Sequence, residues 1–303
     1  MAIPLLVAVS ALSFVLVSLT PGDAARQILG RDASPEAYPA LRHALGLDLP
    51  LYEQYWHWVR SAVQGDLGTS LLNGDDVRDE IFTRLPVTLS LMIGALVISA
   101  IVGVSFGVFS ALRGGVAGRA VDALALLGFA IPGFWLGLEL IVLFAVKLRW
   151  LPATGYVAFG DSISGWSRSI ALPVIALGLF CVASVAKQTR QAMVDVLGSE
   201  YIRVARANGI SQRSLVFRHA LRNASLPVLT VVGLHAVGLL GGTLVIENVF
   251  ALPGLGTLAV NAALQHDLPT VQGVAVFFTM MVVIINVLVD LGYTWLNPRV
   301  RTG

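Results

Sequence analysis

Long apolar runs broken by short charged intervals set the rhythm of this chain. No charged residue occurs in residues 85–112, 169–186, 223–246 or 268–289. Each run is close to or above the roughly 18 to 20 residues that a helix needs to cross about 30 Å of hydrocarbon. Two further runs fit with less margin: residues 3–19, and 123–146, which is apolar except for Glu139. The pattern predicts an all-α, polytopic membrane protein with about six transmembrane helices. It divides the chain into a first span over 1–20, a long polar segment with short helices over 21–84, and a membrane core over 85–303.

Composition agrees. The 303 residues are 56% apolar and 13% charged, with a mean hydropathy of +0.79, outside the range of an ordinary soluble domain. A net charge of +2 and a pI near 8.9 could suggest nucleic acid, but the basic residues are spread over inter-helix loops, where they act as topology signals. No nucleic-acid partner is expected. Cys181, the single cysteine, falls inside a predicted span, which excludes an intrachain disulfide and a CxxC site. The first apolar run lacks the basic lead of a cleaved secretory signal and is read as a retained helix, its abrupt beginning pointing to a start codon upstream.

Six spans put both termini on one side, and loop charge decides which. With cytoplasmic termini, the inner segments 113–119, 187–222 and 297–303 hold eleven Lys/Arg, Arg299 and Arg301 among them, whereas the short outer loops 147–168 and 247–270 hold three. The 21–84 segment has six basic and ten acidic residues, and long segments cross regardless of charge. It is therefore placed outside, and the island 187–222 in the cytoplasm.

Within that island seven Lys/Arg stand against two acids, Asp195 and Glu200. Residues 194–208 are good helix formers without proline, and Gly209 follows where a helix end favours positive φ. Ser211 can cap a second helix reaching about Asn223, before Leu226 and Pro227 open the next span. Helix, glycine turn, helix is the predicted form. Ala205 and Ala207 beside Tyr201, Ile202 and Val204 give a surface that another body can approach closely. On pattern alone, an interfacial helix on anionic lipid and a protein-docking helix fit equally well.

The segment EYIRVARANG at 200–209 resembles the EAA loop of ABC-importer permeases, in the form of the dipeptide/oligopeptide/nickel subfamily. LTPGD at 19–23 resembles the sequence after that family's first span, and the stretches 84–115 (RLPVTLSLMIG onward) and 131–156 (IPGFWLGLEL onward) resemble its second and third spans. ENVFALPGLG, opening 247–273, resembles the segment between its last two spans, and LNPRVR at 296–301 its ending. The resemblance covers nearly the whole chain and implies a type I ABC importer permease fold in a bacterial plasma (inner) membrane.

By the same resemblance, the EAA loop within 187–222 forms a coupling helix held in a groove of a cytoplasmic ATPase. Carried over by position, Glu200, Tyr201, Ala205, Arg206, Ala207 and Gly209 are the coupling contacts. The chain departs from the general pattern, because the E-A-A positions counted back from Gly209 hold Arg203, Val204 and Ala205, while the glutamate stands at 200 as in the peptide-type variant. The implied partners are a second homologous permease subunit, two ATPase subunits, an extracytoplasmic substrate-binding lipoprotein and membrane lipid. Short peptides are the implied cargo, with nickel or another small solute as the alternative. For the 21–84 segment, with Tyr52, Tyr55, Trp56 and Trp58, composition suggests an aromatic belt, and the resemblance adds capping of the outer mouth and reception of the lipoprotein.

No energy source of the chain's own is visible. A Walker A loop needs G-x-x-x-x-G-K-[ST], and the only lysines, Lys147 and Lys187, are followed by Leu148 and Gln188. ATP and Mg are thus expected on partner ATPases, with no cofactor in this chain and no enzymatic activity. Ion coupling is the rival class and needs ionisable groups at membrane depth. Glu139 is its mid-span candidate, Asp122 and Asp290 lying near span ends. His43, His57, His219, His235 and His266 show no HExxH or paired spacing, so no metal or catalytic residue is assigned. Three G-x-x-x-G spacings, at Gly103/Gly107, Gly133/Gly137 and Gly238/Gly242, mark candidate close helix approaches. Pro132 and Pro173 mark bends or breaks.

Overall fold

The computed structural model describes residues 2–19, 24–29 and 37–296. Residues 20–23 of the LTPGD stretch, and Arg299 and Arg301 of the charge count, lie outside the described residues. In chain order the helices are α1 (Ala2–Leu19), α2 (Ala24–Leu29), α3 (Ala37–Ala44), α4 (Leu51–Val63) and α5 (Val77–Ile98), which passes through a π turn, Ser99–Gly103, into α6 (Val104–Arg113). Next come α7 (Gly115–Ala130), α8 (Gly133–Leu140) with a π continuation, Ile141–Lys147, then α9 (Ile163–Leu197) and α10 (Glu200–Ala207). The short α11 (Gln212–Ser214) runs through a π turn, Leu215–Ala220, into α12 (Leu221–Val249), and α13 (Leu255–Leu264) and α14 (Leu268–Leu296) complete the chain. Among the described residues the one β feature is an isolated bridge between Thr69 and Asp76.

Four continuous helices are long and apolar enough to cross a bilayer: Val77–Arg113, Ile163–Leu197, Gln212–Val249 and Leu268–Leu296. They coincide with the four uncharged runs. The all-α, polytopic reading therefore holds, with α1 as a shorter apolar helix of 18 residues.

Three boundaries differ from expectation. The anticipated span 123–146 is two helices, because Pro132 offers no N–H and pushes Ile131 out of helical geometry, to φ −90 and ψ 119. Pro227, by contrast, lies inside α12 rather than opening it. Buried Ala224 and Val228 flank it, so packing of the surrounding face outweighs the one backbone bond a proline removes. Finally, the helix expected over 194–208 is cut at Gly198 and Ser199, where Ser199 is extended at φ −70 and ψ 155.

The chain forms two compact units, Met1–Thr88 with Pro253–Val283 and Leu89–Leu252 with Ile284–Gly303. In the first, polar side chains join elements far apart in sequence. Buried Gln272 of α14 donates Nε2 to the Ser10 carbonyl at 2.7 Å and accepts from Ser13 Oγ at 3.0 Å. Ser10 Oγ lies 2.8 Å from Tyr55 Oη of α4, with the Phe14 ring edge-on to Tyr55. Buried Asp267 accepts from Ser70 Oγ at 2.6 Å, Thr270 Oγ1 at 2.7 Å and Leu71 N–H at 3.1 Å. That satisfied carboxylate ties the loop after α4 to the start of α14, where an unsatisfied one would be strongly destabilising.

In the second unit α9 is the spine, with α6, α7, α8 and α12 packed on it. A Cβ on Gly94 would stand 2.8 Å from Val174 Cγ2, one on Gly103 2.9 Å from Val185 Cβ, and one on Gly107 2.5 Å from Thr189 Cβ. These glycines let the α5–α6 rod lie backbone-close to α9. Gly137 faces the Phe250 ring, whereas Gly238 has open space. Of the three G-x-x-x-G spacings, only Gly103/Gly107 is a tight approach at both glycines.

Candidate functional site

The site grows from the charged end of α9. After residue 186 the apolar run gives way to Lys187, Arg190 and Asp195. Gly198 then closes α9, its N–H bonded to the Val194 carbonyl at 3.1 Å. Ser199 turns its hydroxyl back to the Val196 carbonyl, so the chain leaves one helix and enters the next within two residues.

The eight residues of α10 divide cleanly. Ile202 is 0% exposed and is the anchor; Ala205, one turn on, is half-buried on the same side. Burying an isoleucine contributes about 2 to 3 kcal/mol. α10 rests on α9 and on the π turn Leu215–Ala220, whose Met193, Val216 and Ala220 share a core with Val108 of α6 and Ala224 of α12. Outward stand Glu200, Arg203, Arg206 and Ala207, with Tyr201 at 44% and Val204 at 59% exposure. Tyr201 Oη also accepts from Asn223 Nδ2 at 2.6 Å, which fastens α10 to the start of α12.

The far end closes as a Schellman turn. Gly209 N–H bonds the Arg206 carbonyl at 3.1 Å, Ile210 N–H bonds the Ala205 carbonyl at 3.2 Å, and Gly209 has φ +82. Ser211 Oγ then accepts from Ser214 N–H at 3.4 Å, capping the next helix as anticipated. Helix, glycine turn, helix is thus present, with the first helix beginning at Glu200 rather than at 194. Glu200 in the first turn and Arg206 in the last complement the helix dipole, which gives both a local reason to be there. The Glu200–Arg203 pair is long at 4.0 Å and exposed, and holds little.

All six sequence-chosen residues lie on this one element or its turn. Glu200, Arg206, Ala207 and Gly209 are exposed, Tyr201 is partly tied down, and Ala205 sits at the margin. Sequence reasoning missed the anchoring role of Ile202 and the Asp122–Arg190 pair. Arg190 Nη1 lies 3.3 Å from Asp122 Oδ2 and crosses Gly118, where a Cβ would meet Nη2 at 2.7 Å. The pair links α7 to α9 two turns before α10. The signals were present, as one of several apolar residues in 200–209 and a charge just past each span end, but neither fixes a partner.

The intramembrane charges also rearrange. Glu139 is exposed on α8, whereas Glu247 is 0% exposed in the last turn of α12. The uncharged run ends at residue 246, so a span drawn by charge alone put Glu247 in the outer loop. Among the described residues no three His, Cys, Asp or Glu group as a metal site.

With this geometry established, comparison with known proteins is specific. The family described as binding-protein-dependent transport system inner membrane component matches residues 103–302, and its N-terminal counterpart matches residues 1–92. A peptide transport system permease protein of Brucella abortus is 46% identical over 301 residues, covering 99% of this chain and 96% of the relative. The glutathione transport system permease protein GsiC of Escherichia coli K12 is 42% identical over 300 residues, 99% and 95% of the two chains. Among solved structures, the MetNI methionine ABC transporter in inward-facing form superposes with a TM-score of 0.54 at 16% identity, covering 69% of this chain and 93% of that one.

Proposed function

The chain belongs to the binding-protein-dependent transport system inner membrane component family, and on that premise we propose that it carries short peptides across the membrane as half of an ATP-driven import path. Its membrane-spanning helices and family make it a multi-pass ABC importer permease, a transport subunit rather than an enzyme. The partners in this reading are a second homologous permease subunit, two cytoplasmic ATPase subunits that bind ATP and Mg, and an extracytoplasmic substrate-binding lipoprotein. The assembly sits in a bacterial plasma membrane with both termini of this chain in the cytoplasm. Peptide cargo is supported by the names of the relatives, which include peptide and glutathione permeases.

One observation carries the coupling role: α10 is a short, rigidly held helix that buries Ile202 and turns Glu200, Arg203, Val204, Arg206 and Ala207 outward. A solvated loop would not need that anchor. The mixed charged and apolar face suits a groove on a partner, and Tyr201, Ala205 and Gly209 complete the contact surface at its edges. ATPase closure displaces α10, and because α10 is fixed to α9 and α12, the displacement is passed to spanning helices as a rigid shift. In the 21–84 segment, α2, α3 and α4 give the ordered structure that receiving a lipoprotein at the outer mouth requires.

Co-purification with ATPase and energised peptide uptake test this. Ala205→Arg and Gly209→Pro are expected to abolish uptake and release the ATPase while the chain still reaches the membrane. Uptake unchanged in both, with no ATPase recovered from the parent chain in mild detergent, would sink the assignment.

A further inference from the structure

The loop between α8 and α9 carries a feature that energy coupling does not use. Trp150 N–H closes on the Phe144 carbonyl at 2.9 Å, and this cap places Arg149 at φ +57. Glycine is the residue that takes this position without steric cost. The chain keeps arginine there instead. Next to it, Arg168 Nη2 donates to the Trp150 carbonyl at 2.8 Å, using one of five guanidinium donors. Both arginines line a cavity of about 590 Å³ together with Thr154, Tyr156 and Ser169.

The charge balance there is one-sided. Neither Arg149 nor Arg168 has a carboxylate partner among the described residues. Asp161, the one acid in residues 147–168, is not part of the cavity wall. Two guanidinium groups at one concave surface point to an oxyanion, which they bind through paired charge-assisted hydrogen bonds.

The surroundings select among oxyanions. The uncharged run of α9 starts at residue 169, just after Arg168, and the apolar stretch of α8 ends at residue 146, just before Lys147 and Arg149. Both arginines therefore stand where hydrocarbon gives way to headgroups. On the segments that carry them, Val142, Val146, Leu148, Trp150, Phe159 and Ile163 are exposed. Such exposed apolar neighbours fit an occupant that brings acyl chains with its anion, and free phosphate brings nothing to bury against them. We propose that this cavity is a binding site for the phosphodiester headgroup of an anionic phospholipid, held by Arg149 and Arg168.

The test uses the full chain purified with its partner subunits, stripped of lipid and titrated with phosphatidylglycerol or phosphatidylcholine while bound lipid is read by native mass spectrometry. Phosphatidylglycerol should bind with clear preference, and Arg149→Gly should weaken it about tenfold, the loss of one charge-assisted pair. Because glycine suits the backbone at 149, this variant should fold at least as well as the parent, which separates lost binding from lost structure. Arg168→Gln should act in the same direction, and Arg222→Gln, far along the chain, should not. Equal retention of the two lipids, parent-like binding in Arg149→Gly, or displacement of the lipid by millimolar inorganic phosphate or by a peptide carboxylate would overturn the proposal.

Discussion

Gly209 and Ile202 sit seven residues apart and fix α10 by unrelated means, one through backbone conformation and the other through burial. At Gly209 a methyl group would meet nothing within 4 Å, so the cost of Gly209→Ala is conformational alone, about 1 kcal/mol for a left-handed residue. We expect that variant to retain part of its uptake. Ile202→Ala opens a cavity under the helix and should cost about 2 to 5 kcal/mol locally, with uptake falling further than in Gly209→Ala; uptake and thermal unfolding measured side by side separate the two. On the outer segment, His43 Nδ1 lies 2.7 Å from Asp48 Oδ2. The hydrogen bond to Asp48 raises the His43 pKa above its ordinary 6.5, and the same bond lowers Asp48 below 3.8. The contact is thus present from just above the Asp48 value up to the His43 value, lost to carboxylate protonation below and to imidazole deprotonation above. An NMR titration of the His43 ring should show a midpoint above 6.5 that returns to that value in Asp48→Asn.

At the scale of elements, close packing between α6 and α9 holds the floor on which α10 stands. Gly107→Ala would put a methyl 2.5 Å from Thr189 Cβ and 2.7 Å from the Ala186 carbonyl, a backbone atom that cannot rotate away. Such overpacking typically costs 1 to 3 kcal/mol, so a lower unfolding temperature and weaker uptake are expected together. Gly238→Ala, with open space around it, should be neutral or slightly stabilising through helix propensity. Equal destabilisation by the two would contradict this packing. Asp122→Asn weakens a half-exposed pair with Arg190, so its effect on stability should stay at about 1 kcal/mol or less. Any larger loss of uptake would then report on how α7 steadies α9.

For the whole molecule, the decisive question is where the energy enters. With no Walker A loop in the chain and with family membership established, ATP hydrolysis belongs to partner subunits. Glu139→Gln is therefore expected to leave uptake dependent on ATP and insensitive to a collapsed proton gradient. Uptake in reconstituted vesicles, with ATP inside and an uncoupler added, measures both. A variant that lost only a gradient-dependent component would instead mark Glu139 as a proton carrier.

Much of this was legible from residue order. The four spanning helices follow from runs without charge, because a buried charge in hydrocarbon is too costly to leave ambiguity. The turn at Gly209 and the cap at Ser211 were equally readable, since both depend on neighbours within a few residues. That Pro227 is absorbed into α12 was decided by the packing around it. So was the choice of Ile202 as the buried residue of α10, and of Glu247 over Glu139 as the enclosed carboxylate. Those outcomes, like the cavity that Arg149 and Arg168 both line and the pairing of Asp122 with Arg190, depend on side chains brought together from separate parts of the chain. A local pattern sets which residues can be buried or paired, and only the tertiary arrangement selects the ones that are.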